Sequence, residues 1–117
     1  MSYTVELGEK WERLMNRLTE EFGKRPNLEA LLFLIGVREL GSTPREFTKE
    51  EKQDLMHIAL CAVLAPSGYY ELEHADAEGW PHWKEIKPLP FINVFEQTTF
   101  LRAHIVEYFE GVYEKEL

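Results

Sequence analysis

The sequence predicts an all-α fold: a four-helix bundle-like single domain over residues 1–117, with a long aromatic-rich connection before the last helix. Three observations carry this prediction. Apolar residues recur at helical spacing in four separate segments. Capping residues or glycine and proline stops mark most of the segment ends. The segments together cover more than half the chain, well above the roughly one-third average of mixed domains.

The first helix is expected from about Val5 to Phe22. Leu7, Trp11, Leu14, Met15, Leu18 and Phe22 form one apolar stripe on a charged rod. Gly23 stands where a helix C-cap glycine would, with Pro26 just beyond. Asn27 caps a second helix, Leu28 to Leu40, which ends at Gly41. Its apolar residues, Leu28, Leu31 to Ile35 and Val37, point nearly all round, so it is expected to be the central, most covered element.

Thr43, Pro44 and Glu46 read as a short capped turn. Thr48 with Glu51 repeats the capping-box spacing and opens a third helix, Lys49 to Ala65, stopped by Pro66-Ser67-Gly68. Asn93 with Glu96 opens the last helix, Val94 to about Glu114. Its stripe is Leu101, Ile105, Tyr108, Phe109 and Val112.

Residues 68–90 form the long connection, and they also read as a β-hairpin. Tyr70, Leu72 and His74 alternate with Tyr69, Glu71 and Glu73, and Asp76-Ala77-Glu78-Gly79 offers a turn. Trp80 to Ile86 returns as a second strand, with Pro81 restricting it to an edge. A lone hairpin is marginal in water, so its aromatics are expected to anchor it to the helices.

A chain of 117 residues with 44% hydrophobic content can bury one core. Twenty-one acidic against 13 basic residues give a net charge of -8, which argues against nucleic acid and anionic membrane surfaces as partners. Cys61 is the only cysteine, so neither an intrachain disulfide nor a cysteine-rich zinc site can form. The first ten residues lack a basic region followed by an apolar one, so no signal peptide is expected. The longest apolar run, Ala30 to Val37, is far short of the roughly 20 residues that span a bilayer. A soluble cytoplasmic protein is the expectation.

Glu50, Asp54, His57 and Cys61 fall on one stripe of the third helix. A carboxylate, a histidine and a thiol in line suit a nucleophilic dyad. Asp54 and His57, three residues apart, suit two metal ligands on one helix face. Against catalysis, a mid-helix cysteine has neither free backbone amides for an oxyanion hole nor a helix N-terminus beside its thiolate. The bland alternative is a buried cysteine that behaves as a small hydrophobe.

His74, Asp76, Glu78 and His82 are metal-competent but lack the tight spacing of a ligand motif. Tyr70, Trp80, His82 and Trp83 are the candidate ligand-binding residues: amphipathic rings suit pockets and interfaces, and equally suit anchoring a long connection. Glu39, in the last turn of the second helix, is expected to reach solvent. His104, between Phe100 and Tyr108, is expected to be a packing residue.

No glycine-rich phosphate loop, H-E-x-x-H, G-x-S-x-G or paired E-x-x-H motif occurs. The chain is therefore read as a non-enzymatic interaction domain without a cofactor, binding a protein partner or itself as a homodimer. Phe95 and Phe100, outside the main stripe of the last helix, support a second contact face. The alternative is a small-molecule or metal-binding pocket, catalytic or not, closed by residues 68–86 over the third helix. Whether that segment encloses a hollow or lies flat decides between them.

Overall fold

The computed structural model describes residues 3–41, 45–90 and 93–117. The described chain is mostly helical: α1 (Tyr3–Phe22), α2 (Leu28–Leu40), α3 (Lys49–Leu64) and α4 (Val94–Tyr113). Strands β1 (Tyr70–Ala75) and β2 (Pro81–Glu85), which follow α3 and precede α4 along the chain, pair antiparallel, so the connection is a hairpin and the helices are accompanied by a small sheet. Among the described residues no helix is long and apolar enough to cross a membrane. The chain divides into two compact units, Met1–Pro26 with Pro90–Leu117, and Asn27–Leu89.

In the first unit α1 packs with α4. Leu7, Trp11, Leu14, Met15 and Leu18 are buried, as their helical spacing predicts, and α4 contributes Ile105, Val106 and Phe109. Leu101, Tyr108 and Val112 of the expected α4 stripe are half-buried, so the buried face is turned from them toward Val106. Phe22 departs from expectation at 54% exposed. The polar ties from α1 to α4 and the tail after it run from Lys10 to Arg17, and Phe22 lies past them at the end of the helix.

Lys10 bonds Glu110 at 3.0 Å, and the Arg17 guanidinium sits 3.4 Å from the Tyr113 ring centroid. Burial alone would raise the pKa of Glu110, but the Leu117 N–H and the Lys10 ammonium outweigh it and hold the carboxyl below its ordinary range. His104 donates from Nδ1 to the Phe100 carbonyl at 2.8 Å and lies half-buried against the Phe100 ring, as a packing histidine should.

In the second unit α3 touches α2 and both strands. Asn27 caps α2 by accepting the Ala30 N–H, and Gly41 ends it in the left-handed conformation at φ 70°. The all-round burial expected of α2 is not found: Leu31, Ile35 and Gly36 are buried, whereas Leu32, Phe33, Leu34 and Val37 are only half-buried. The covered element is α3, with Leu55, Ile58, Ala59 and Cys61 to Leu64 all buried. It has α2 on one side and both strands on the other, whereas α2 packs chiefly with α3.

At the crossing of the two helices Gly36 lies directly on the Leu55 backbone. Glu39 is exposed, as expected. The capping box of Thr48 and Glu51 forms with both bonds present, at 3.1 and 2.9 Å. The turn expected at Thr43–Pro44 lies outside the described residues.

Candidate ligand-binding cleft

The hairpin that forms one wall of the site is set by a few local interactions. Asp76 builds its loop: Oδ1 accepts the N–H groups of Glu78 and Trp80, both at 3.0 Å, and Oδ2 accepts from His82 Nε2 at 3.0 Å. Gly79, at φ 88°, supplies the left-handed residue that closes the turn. The His82 hydrogen bond, then the Trp80 N–H, keeps the Asp76 carboxyl below its usual range, so it is ionised at neutral pH.

The strands pair Tyr70 with Glu85, Leu72 with Trp83, His74 with His82 and Ala75 with Pro81. A bulge between Leu72 and His74 leaves Glu73 as the extra residue. Without it His74 would fall opposite Pro81 and share the face of Trp83. With it His74 stacks on His82 at 4.7 Å, rings nearly parallel.

Trp80 is held in place by a short aromatic series. Phe33 of α2 meets Phe47 edge-on at 5.8 Å, and Phe47 meets Trp80 edge-on at 6.5 Å. The Arg45 guanidinium covers the Phe47 ring at 4.2 Å. Trp83, half-buried, has its indole N–H out of contact with solvent and without a hydrogen-bond partner among the described residues.

These supports leave a cleft of about 560 Å³ between α3 and the hairpin. From α3 it is lined by Glu51, Asp54, His57 and Ile58. From the hairpin come Asp76, Glu78, Trp80, Pro81, His82 and Trp83. Five of the six residues singled out from sequence, Asp54, His57, Trp80, His82 and Trp83, thus line one hollow. The sixth, Tyr70, does not line it. Its ring meets His57 edge-on at 6.3 Å, at the start of β1.

Sequence reasoning treated Glu51 only as a capping residue, although Glu51, Asp54 and Ile58 share a helix face by spacing. Glu50 and Cys61 of the expected stripe do not line the cleft.

No family model, no curated protein and no solved structure matches the chain. The chemistry of the cleft is therefore read from its own residues. Among the described residues, no three His, Cys, Asp or Glu side chains gather as a metal ion needs, Asp54 and His57 included.

Cys61 is 0% exposed, and its Sγ lies 3.6 Å from His57 Nε2. Burial pushes the thiol pKa up to about 11, so at neutral pH it is neither ionised nor reachable. Glu51, by contrast, is held below the ordinary range by the Thr48 N–H and then by Arg45, 3.1 Å away. The cleft can bind through charge, hydrogen bonds and indole surface.

Proposed function

We propose that the chain is a binding domain without catalytic chemistry, and that its ligand is a small molecule held between α3 and the hairpin. The observation that supports this reading is the open cleft of about 560 Å³ between α3 and residues 76–83, within the size range of small-ligand sites. Asp54, His57, Trp80, His82 and Trp83 are the residues expected to touch the ligand. An acidic composition and one buried thiol fit a cytoplasmic setting.

Fragment screening by two-dimensional NMR tests the reading. Binders should move the indole signals of Trp80 and Trp83 together with the amides around Asp54 and His57. A screen whose hits cluster elsewhere, or that yields no hits, would count against it.

A second reading, self-association as a homodimer or docking of a protein partner, is favoured by Val94 and Phe95. They stand 76% and 70% exposed beside a groove that Leu7, Trp11 and Arg102 also line. It predicts a mass that doubles with concentration in light scattering and reverts in Phe95→Ser. A monomer at every concentration disposes of the homodimer.

A further inference from the structure

We propose that the groove between α1 and α4 binds a free medium-chain aliphatic acid, its carboxylate on Arg102 and its chain against Trp11 and Phe95. This goes beyond the α3–hairpin reading: the groove lies wholly within the first unit, and neither site depends on the other.

The groove measures about 290 Å³. Its walls are apolar, with Leu7 and Trp11 from α1 and Val94 and Phe95 from the first turn of α4. Leu7 and Trp11 are held in the core, whereas Val94 and Phe95 stand largely bare. One wall is thus fixed by packing, and the other is apolar surface that the fold leaves in water. Gly8 keeps the hollow open: a Cβ there meets nothing within 4 Å, so a longer side chain would occupy the space.

Arg102, exposed, is the one charged residue among the described residues that line the groove. Its guanidinium lies over the Trp11 ring, 5.0 Å from the centroid, and makes no hydrogen bond or ion pair to the described residues. Glu12, the carboxylate it acts on, already has both oxygens bonded to Arg25, at 3.0 and 2.8 Å. The planar fork of donors is therefore unspent within the fold, and a carboxylate matches it with two parallel bonds. Thr98 and Thr99 line the same groove and add hydroxyl donors.

Charge and shape select the class. A single negative charge is matched by one arginine, whereas a doubly charged phosphate would bring a charge that nothing else in the lining offsets. A cationic ligand would meet Arg102 head-on. The apolar walls call for a tail, and at about 30 Å³ for each carbon group, close to the volume of one water, the groove takes roughly eight. A second copy of the chain would approach with its own net charge of -8 against the same charge here.

The test titrates sodium octanoate into the labelled full chain, followed by two-dimensional NMR, with 1-octanol, octylamine and butyrate as controls. Saturable shifts at the Trp11 indole and at the amides from Val94 to Arg102 are expected with octanoate. The three controls should bind at least about tenfold more weakly, for want of the charged hydrogen bonds or of the chain. Arg102→Gln should weaken octanoate by about tenfold and leave 1-octanol unchanged. Gly8→Leu places a strong helix former where the fold has room, and should abolish octanoate binding with stability kept or raised.

Equal affinity for octanoate and 1-octanol, or octanoate binding unchanged in both variants, overturns the proposal. So does a groove taken by self-association, seen as Trp11 shifts that follow protein concentration without octanoate. The α3–hairpin reading is judged apart from these results, by the signals of Trp80 and Trp83.

Discussion

Gly36→Ala should destabilise the chain by about 2–3 kcal/mol, although alanine is the better helix former by about 1 kcal/mol. A Cβ at this position would stand 2.1 Å from the Leu55 carbonyl oxygen and 2.6 Å from its carbon. Backbone atoms cannot rotate away as a side-chain tip can, so α2 and α3 would have to separate. That loosens Leu31, Ile35, Leu55 and Ala59, each at 0% exposed.

Truncating the neighbour does not rescue the variant, because the closest clash is with the Leu55 main chain. Leu55→Ala alone should cost about 2–5 kcal/mol as a buried leucine lost, and the double variant should be worse than either. Gly8 and Gly111 are the controls. Both are helical, and a Cβ on either meets nothing within 4 Å, so alanine there should be neutral or stabilising by up to about 1 kcal/mol. Denaturant midpoints of the four single variants and the double test this directly. A Gly36→Ala chain as stable as its parent would mean that the helices do not cross so closely.

Cys61 should be nearly silent toward iodoacetamide at neutral pH and should make the fold sensitive to alkali. Against an ordinary value of 9.0, a thiol pKa of about 11 lowers the thiolate fraction by about a hundredfold, and burial slows access further. The sign of the stability effect follows from proton counting. Between the two values the folded chain keeps a proton that the unfolded chain gives up, so stability falls as pH rises.

The contribution is fully present below pH 9 and is lost progressively toward pH 11. The loss is on the order of 2–3 kcal/mol, from about 1.4 kcal/mol for each unit of difference. Cys61→Ala should remove this alkaline slope while carrying its own, pH-independent cost for a small cavity. Rapid alkylation of the native chain, or an identical alkaline profile in Cys61→Ala, would show that the thiol is neither deeply buried nor shifted.

Much of the helical framework was legible because it is written locally. Asn27 and Gly41 for α2, Thr48 with Glu51 for α3 and Asn93 for α4 are bonds between near neighbours, and the structure contains them. The hairpin was legible from alternation and from the Asp76–Gly79 turn. Its bulge at Glu73 was not, since one extra residue leaves no mark in composition.

The ranking of helices by burial failed for a related reason. Hydrophobicity all round α2 says that the helix prefers cover, whereas cover goes to the helix with neighbours on more sides, and α3 has α2 and both strands against it. For the cleft, sequence supplied the residue types on α3 and the hairpin. Their meeting depends on contacts between segments distant in the chain, which periodicity does not encode.

The division of the chain into two units bears on its synthesis. Residues 27–89 are contiguous, so α2, α3 and the hairpin can find one another as soon as they leave the ribosome. By contrast, α1 emerges first and packs with α4, which is translated only after the whole intervening unit. During that interval the stripe of Leu7, Trp11, Leu14 and Leu18 has no α4 to cover it. Glu9, Glu12, Arg13, Asn16 and Arg17, exposed on other faces of the same helix, keep the nascent segment hydrated while it waits. The acidic and basic residues of α1 thus serve the unfinished chain as much as the finished one.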